Sequence, residues 1–401
     1  MWSRSKLPEP MPNLTAKLTQ PLEDVIRRGH PWVFHDAVHG PRDARPGTPV
    51  DLLARDGSFV GCGVWDPESP IRVRMWTLNP DTPVNNATLE SRIRAAIKSR
   101  NFPTHDTNGF RALNGEGDRI PGVVCDVYDN VAVFRIDGVA AERWLEPAAR
   151  LLQKLLNIEH VAVRRSEIYA GDKETAEWMV GGVDQVKFQE LGMTFVADPL
   201  NGQKTGFFLD QRANRQRLAE VSRGKRLLNL FGYSGAFSVA AAMQGAARTT
   251  TVDIAKPALV DAERHFNLNG LPPEAHEFVA ADVFKYLEDF WTGKAPFDVV
   301  VCDPPSFAHR KEDVRRATTA YLRLFAKVFD VMPNGSRVAL ASCSSHISRE
   351  RFVDLVIRSA QEAGVSYVLQ GIWGADVDHT TQAAFPEGDY LQFSLGTIYR
   401  D

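Results

Sequence analysis

The sequence contains no long apolar run and few cysteines, and each absence excludes a class of protein. No stretch of about 18 apolar residues occurs in its 401 residues, so we expect no membrane-spanning helix. The four cysteines lie far apart without a Cys-x-x-Cys pair, which argues against a disulfide framework or a zinc site and is typical of a reducing cytoplasm. No apolar segment follows the N-terminal basic residues, so we expect no secretion signal. The net charge of −3 gives no support from composition for a nucleic-acid partner.

The composition is otherwise that of a globular protein, with 44% apolar and 24% charged residues. The length predicts two or three domains. From the changes in pattern we expect a loose tail over residues 1–12, a small all-β domain over 13–82, a helix with an α+β middle domain over 83–190, and an α/β domain over 191–401.

Short runs of apolar and alternating apolar and polar residues, separated by turns, predict the strands of the first two domains. An Asp-Gly turn within residues 55–58 separates two apolar runs and predicts a β-hairpin. Residues 71–76 alternate with a period of two, which predicts a half-buried strand with Arg72 and Arg74 on one face. A second hairpin is predicted around residues 129–130 in the middle domain. The all-β domain has about the size of an RNA-binding barrel.

The last domain alternates strands with helices. Continuous apolar runs such as residues 299–301 are typical of parallel strands that are buried on both faces. We therefore predict a doubly wound, Rossmann-type α/β fold, whose ligands bind at the carboxyl ends of the strands. The predicted strands cover residues 226–230, 249–252, 277–280, 297–302 and 337–342.

Three successive strand ends carry residues suited to a nucleoside. A Gly-x-x-Gly turn with Gly232 and Gly235 would let the backbone approach a ligand closely. Asp253 ends the next strand, where a carboxylate can accept hydrogen bonds from both ribose hydroxyls. Asp282 ends the third and could accept from an adenine amine, although a helix N-cap explains either aspartate equally well when taken alone. The dinucleotide spacing and a Walker lysine are both missing, so the combination predicts S-adenosylmethionine.

The fourth strand ends in a stiff turn, Asp303-Pro304-Pro305, because both prolines have a fixed φ. This turn would aim Asp303 and the Pro305 carbonyl at whatever lies beside the cofactor methyl group. A purely structural turn is the less favoured interpretation at this position.

Cys343 follows the fifth strand and is a candidate nucleophile. Free cysteine is usually a packing residue, and we assign that role to Cys62, Cys125 and Cys302. Cys343 differs because it stands among hydroxyl residues beyond the strand. We expect it to neighbour Asp303 across the sheet.

These residues resemble the rRNA large subunit methyltransferase I family, whose members join an N-terminal PUA domain, a small middle domain and a Rossmann-type methyltransferase domain. The resemblance covers nearly the whole chain after the tail. Its most specific motif is Gln-Lys-Thr-Gly-Phe-Phe-Leu-Asp-Gln-Arg at residues 203–212. Further matching motifs lie at residues 28–34, 71–74, 231–235, 303–307, 342–344, 378–379 and 385–391.

The resemblance implies methylation of carbon 5 of a cytosine in 23S rRNA, either free or in a large-subunit precursor. Cytosine C5 is a weak nucleophile, so a cysteine thiolate first adds to C6. The family implies Cys343 as nucleophile and Asp303 as the partner of the cytosine N3/N4 edge, with the base flipped out of its stack. The cofactor-binding residues expected are Phe231, Gly232, Tyr233, Ser234, Gly235, Asp253, Ile254, Asp282, Val283, Asp303, Asp210 and Arg212. The residues expected to contact substrate or RNA are Pro304, Pro305, Ser306, Lys204, Arg72, Arg74 and His30.

Among these, we expect Arg212 to hold a substrate phosphate or the cofactor carboxylate. No metal and no membrane partner are expected, and the oligomeric state stays open, a homodimer included. Many RNA 5-methylcytosine enzymes carry a second cysteine just after the Asp-x-Pro turn, where this chain has Ser306, so the group that assists product release is left open.

Three alternatives remain at this point. Asp-Pro-Pro followed by Phe307 partly resembles the Asp-Pro-Pro-Tyr turn of enzymes that methylate an exocyclic amine of adenine or guanine and need no cysteine. A non-catalytic RNA-binding or ribosome-assembly factor with an inactive methyltransferase domain is the second alternative. A small-molecule methyltransferase is the third, and it would leave the first domain without a task.

Overall fold

The computed structural model describes residues 14–165, 175–307 and 313–400, so the expected tail over residues 1–12 lies outside the described residues. The chain divides into two compact units. Unit 1 takes the described parts of Met1–Asn101, Arg111–Val183 and Thr380–Phe385. Unit 2 takes those of Phe102–Phe110, Asp184–His379 and Pro386–Asp401.

A six-stranded sheet forms the first part of unit 1. Its strands are β1 (Leu14–Leu18), β2 (Trp32–Phe34), β3 (Val38–His39), β4 (Thr48–Leu53), β5 (Phe59–Trp65) and β6 (Ile71–Thr77), with helix α1 (Glu23–Arg27) after β1. The spatial order is β2-β6-β5-β4-β1-β3, and β1 is parallel to β4. The hairpin predicted at residues 55–58 is confirmed, since β4 and β5 pair antiparallel on either side of it.

A five-stranded sheet forms the second part of unit 1. Its elements are α2 (Asn86–Arg100), β7 (Gly109–Asn114), β8 (Val123–Tyr128), β9 (Val131–Ile136), α3 (Glu142–Leu156), β10 (His160–Arg165) and β11 (Thr175–Val180). The order is β11-β10-β9-β8-β7. The predicted hairpin joins β8 to β9, and its turn residue Asp129 has a φ of 53°. Strands β9 and β10 are parallel, and α3 makes the crossover that a parallel pair requires.

Unit 2 contains a short hairpin and the predicted α/β domain. Its strands are β12 (Val186–Glu190), β13 (Met193–Ala197), β14 (Arg226–Leu230), β15 (Arg248–Asp253), β16 (Glu277–Ala280), β17 (Val299–Cys302), β18 (Arg337–Ser342), β19 (Ser366–Trp373) and β20 (Gln392–Tyr399). Its helices are α4 (Arg212–Glu220), α5 (Ala236–Met243), α6 (Lys256–Leu268), α7 (Val283–Glu288), α8 (Val314–Val331) and α9 (Arg349–Glu362).

The large sheet has the strand order β16-β15-β14-β17-β18-β20-β19. The first five strands are parallel, which confirms the predicted doubly wound fold. The chain moves outward from β14 to β16 and then returns to β17, beside β14. This reversal of strand order opens a crevice at the carboxyl ends of β14 and β17, where ligands bind in such folds.

Two features of unit 2 add to the sequence prediction. Strand β20 runs antiparallel to β18 and pairs with β19, so the sheet is mixed. The expected boundary at residue 190 falls inside the hairpin formed by β12 and β13. The core beneath the crevice is apolar, and Val300, Leu324 and Phe325 are fully buried in it. In the part of the chain that the structure describes, no helix is long and apolar enough to cross a membrane.

Candidate active site

The Gly-x-x-Gly turn lies at the carboxyl end of β14 and is held by tight packing. A Cβ atom on Gly232 would lie 2.4 Å from Cγ2 of Thr251. Gly235 has a φ of +74°, and its Cβ would lie 2.8 Å from that of Ala262 on α6. Both glycines are therefore required by the close approach of the turn to its neighbours. Phe231 has a φ of 58°, an uncommon conformation that tends to occur at functional sites.

A buried histidine fixes the carbonyl side of this turn. Nε2 of His265 accepts a hydrogen bond from the Val196 amide at 3.0 Å, so Nδ1 carries the proton and donates to the Ser234 carbonyl at 2.9 Å. Burial lowers the pKa of His265, which keeps the ring neutral. Sequence reasoning missed this residue because its two partners lie far from it along the chain.

Asp253 lies beside the turn at the end of β15, as predicted. Its carboxylate accepts from the Tyr233 amide and the Ala255 amide, both at 2.8 Å. The side chain that follows, Ile254, is 71% exposed, which is unusual for a large apolar residue at the mouth of a crevice. This arrangement offers a carboxylate and an apolar surface side by side.

Asp282 follows β16 and caps α7, where its carboxylate accepts from the Lys285 amide at 3.0 Å. The structure thus contains the N-cap that the sequence offered as one of two interpretations. Val283 is 3% exposed and belongs to the apolar core. The predicted contact of Val283 with the cofactor stays a prediction.

The Asp-Pro-Pro turn begins at the carboxyl end of β17. The side-chain amide of Gln211 donates from Nε2 to Oδ2 of Asp303 at 2.8 Å, which fixes the orientation of the carboxylate. Burial raises the pKa of Asp303 to about 6, and the negative charge of Asp210 adds to this effect. Pro304 is buried, whereas Pro305 is exposed and Ser306 is partly exposed.

Cys343 lies directly beside this turn, as expected. Its thiol donates to the Pro304 carbonyl, with 3.7 Å between sulfur and oxygen. The residue is partly exposed, whereas the packing cysteines, Cys62, Cys125 and Cys302, are buried. Burial raises the pKa of the Cys343 thiol to about 12, and the charge of Asp303 contributes in the same direction.

The motif at residues 203–212 brings a lysine to the same region. Nζ of Lys204 pairs with Oδ2 of Asp210 at 2.5 Å, and the Tyr390 hydroxyl donates to the same oxygen at 2.7 Å. Burial opposes the ionised form of Asp210, but the charges of Lys204 and His379 outweigh it and hold the pKa of Asp210 well below its usual value. Oδ1 of Asp210 is buried without a hydrogen-bond partner among the described residues.

Arg212 is placed differently from our expectation. It is 2% exposed and donates to Asp376 and Asp378 at 2.8 and 2.9 Å. It also donates to the Gly109 carbonyl at 3.0 Å. Because both Nη atoms are bound to interior acceptors and Nε is buried as well, the structure contradicts a role in holding a phosphate or the cofactor carboxylate.

The candidate RNA residues of unit 1 are not equivalent. Arg74 is 1% exposed and forms ion pairs with Glu116 at 2.6 Å and Asp137 at 2.7 Å. The prediction that Arg74 shares the more exposed face of this strand with Arg72 is therefore wrong. Arg74 is a buried ion-pair residue. Arg72 and His30 remain partly exposed.

Comparison with known proteins shows the family to which this chain belongs. A model described as S-adenosylmethionine-dependent methyltransferase matches residues 159–368, and a PUA-like model matches residues 16–78. The ribosomal RNA large subunit methyltransferase I of Alteromonas mediterranea is 34% identical over 384 residues, which are 94% of this chain and 96% of that protein. This chain belongs to the rRNA large subunit methyltransferase I family.

Two further proteins are similar to this chain. The ribosomal RNA large subunit methyltransferase of Deinococcus radiodurans is 35% identical over 95% of this chain and 96% of its own length. A methyltransferase solved in complex with SAH has a TM-score of 0.82 at 22% identity, covering 96% of this chain and all of that one. The latter shows that the fold extends over both units.

The family takes S-adenosylmethionine as cofactor, and the residues present fit it. The two glycines let the turn pack tightly against Thr251 and Ala262, and the Asp253 carboxylate beside the turn suits ribose hydroxyls. The partnerless oxygen of Asp210 is an acceptor of the kind an amino group requires. Within the described ranges, no three His, Cys, Asp or Glu side chains form a group that could hold a metal.

Proposed function

We propose that this chain transfers a methyl group from S-adenosylmethionine to C5 of a cytosine in 23S rRNA, through a covalent adduct with Cys343. The observation that carries the proposal is the placement of the Cys343 thiol 3.7 Å from the Pro304 carbonyl, next to Asp303 at the mouth of the crevice. The names of the relatives support ribosomal RNA of the large subunit as the substrate class.

The residues of the chain divide the reaction between them. The Cys343 thiolate adds to C6 of a flipped-out cytosine, which makes C5 nucleophilic. Asp303 holds the N3/N4 edge and stabilises the charge of the adduct. The cofactor supplies an electrophilic methyl group. C5 then loses its proton, and elimination of the thiolate from C6 releases the product and restores the enzyme.

The electrostatics of Asp303 suit this role. A carboxyl with a pKa of about 6 exchanges a proton readily near neutral pH, and acid–base catalysis is most effective when the pKa lies near the working pH. Gln211 keeps the carboxylate in one orientation. We assign no residue to C5 deprotonation, although Ser306 stands where related enzymes carry a second cysteine.

The remaining expectations belong to the same proposal. The turn of residues 231–235 with Asp253, Ile254 and Asp282 holds the cofactor, and Arg72 and His30 of the PUA-like domain contact RNA. Contacts of basic residues with phosphates would make RNA binding fall steeply with salt. The precursor subunit as substrate, the cytoplasm as compartment and a homodimer remain predictions.

A Cys343→Ala variant tests the proposal, because the rival amino-group methyltransferase needs no cysteine. Methyl transfer to rRNA should disappear in this variant. The matched control is Cys302→Ala, which removes a fully buried thiol adjacent to Asp303, and it should keep activity. Undiminished transfer by Cys343→Ala would favour methylation of an exocyclic amine.

Two measurements complete the test. Mass spectrometry of rRNA nucleosides from a deletion strain reports the modified base and its position, and the loss of one 5-methylcytidine is expected. Calorimetry with S-adenosylmethionine should show heat of binding. Absence of heat at millimolar ligand would support the non-catalytic assembly factor instead.

A further inference from the structure

Lys204 is a lysine held in a single position by an unusual number of contacts. Its ammonium pairs with Asp210 at 2.5 Å and lies 4.4 Å from the centre of the Phe208 ring. The Tyr390 ring centre lies 5.7 Å away, and the Tyr390 hydroxyl donates to the same Asp210 oxygen. Lysine side chains are normally mobile, so this arrangement fixes a positive charge in space.

A short series of contacts connects this charge to the thiol. Asp210 is followed by Gln211, whose amide donates to Asp303 at 2.8 Å. Asp303 is followed by Pro304, whose carbonyl accepts from the Cys343 thiol at 3.7 Å. The lysine ammonium and the cysteine thiol therefore belong to one cluster of linked groups, which joins the motif at residues 203–212 to the end of β18.

The thiol faces an unfavourable electrostatic environment apart from this lysine. The largest effects of charge on Cys343 come from Asp303, Lys204 and Asp210. Two of them are carboxylates, which oppose a thiolate, and Lys204 is the positive one. With burial and Asp303 raising the pKa of Cys343 to about 12, the thiolate is scarce at neutral pH, although the thiolate is the nucleophile.

We propose that Lys204 is a positioning residue whose ammonium, held by Asp210 and Tyr390, stabilises the thiolate form of Cys343. The proposal rests on the proposed function, in which that thiolate attacks cytosine C6. The S–H bond breaks, its electron pair stays on sulfur, and the proton passes to water. Lys204 keeps its own protons throughout, so it acts by charge alone.

Alkylation of the intact protein without RNA tests this proposal. Iodoacetamide reacts with the thiolate, and mass spectrometry of the peptide that contains Cys343 gives the rate at this site as a function of pH. Lys204→Met removes the charge and keeps a long side chain, whereas Lys204→Arg keeps the charge. Lys327→Met is the control, because Lys327 is also ion-paired, to Asp330 at 3.2 Å, but takes no part in the contacts that link Lys204 to Cys343.

The alkylation profile of Lys204→Met should shift to higher pH, with a rate about threefold to tenfold lower at a fixed pH, since one pKa unit changes the thiolate fraction about tenfold. Lys204→Arg should stay closer to the wild type, and Lys327→Met should match it. An unshifted profile for Lys204→Met overturns the proposal. Equal shifts for the Met and Arg variants overturn it too, because charge would then not be the cause.

Two further measurements distinguish a charge effect on the thiol from a role of Lys204 in cofactor binding or in folding. If Lys204→Met weakens S-adenosylmethionine binding in calorimetry and leaves the alkylation profile unchanged, Lys204 serves the cofactor and the proposal is wrong. If Lys204→Met does not fold, Tyr390→Phe removes one anchor of Asp210 and should shift the profile in the same direction by less. An unshifted Tyr390→Phe profile would then overturn the proposal.

The outcome is independent of the proposed function. Alkylation involves no RNA, so retained methylation by Cys343→Ala would reject the covalent mechanism without altering the measured profile. A shifted profile with an inactive Cys343→Ala variant supports both.

Discussion

Replacing Asp303 by asparagine should stabilise the protein at neutral pH while it abolishes methyl transfer. The asparagine side chain has nearly the same shape, and its oxygen can still accept from Gln211, which lies 2.8 Å from the carboxylate. The variant lacks only the charge, which burial and Asp210 disfavour. An active-site group that costs stability is a common feature of enzymes.

The magnitude follows from the pKa of Asp303. A rise from 3.8 to about 6 is a shift of about two units, which corresponds to about 3 kcal/mol at 1.36 kcal/mol per unit. Asp303 is partly exposed, and solvent screening reduces this to about 1–2 kcal/mol. The folded state binds the proton more tightly than the unfolded state, so the wild type loses this stability as pH rises from about 4 to above 6.

Urea unfolding at pH 4 and pH 8 measures the effect. The free energy of unfolding of Asp303→Asn should nearly equal that of the wild type at pH 4 and exceed it at pH 8. Asp354→Asn is the control, because Asp354 is exposed on α9 and its replacement should change stability by at most about 0.5 kcal/mol at either pH. Equal or lower stability of Asp303→Asn at pH 8 would refute the reasoning.

Three other substitutions test the packing around the site. Gly232→Ala should weaken S-adenosylmethionine binding about tenfold or more in calorimetry, because overpacking costs about 1–3 kcal/mol. Adding Thr251→Ser to this variant removes the clashing Cγ2 atom and should restore part of the affinity. Unrestored affinity in the double variant would show that this clash is not the cause. Arg212→Met should lower the free energy of unfolding by about 3–5 kcal/mol, since buried carboxylates lose their partner; unchanged stability with lost cofactor binding would return Arg212 to the cofactor. His265→Ala should cost about 2 kcal/mol by leaving the Val196 amide and Ser234 carbonyl unpaired, and a neutral thermal shift would contradict that.

The α/β domain was predictable because its signals are local. Strands β14, β16 and β18 begin and end at the predicted residues, since each is a short run between turn signals. Parallel strands expose their carboxyl ends at one edge, so Asp253, Asp303 and Cys343 could be expected together from their positions alone. The first residues of α8 were missed, because the polar run that begins at Val314 has no apolar stripe of its own.

The roles of the arginines could not be predicted in this way. Arg74 and Arg212 are buried, and their charges are compensated by carboxylates that lie far away along the chain. Asp137 is 63 residues from Arg74, and Asp378 is 166 residues from Arg212. A sequence shows a charge but not the partner that compensates its burial. Gln211 and Tyr390 were also missed as supporting residues, although each lies within a motif that carried the family resemblance.

Covalent trapping is the direct test of the proposed Cys343 adduct. RNA that carries 5-fluorocytidine at the target position has no C5 proton to lose, so the adduct cannot be resolved after methyl transfer. With S-adenosylmethionine present, we expect a protein–RNA complex that survives denaturing electrophoresis and whose RNA is attached to the peptide containing Cys343. A wild-type enzyme that methylates ordinary RNA but forms no such complex, or one attached elsewhere, would contradict the account.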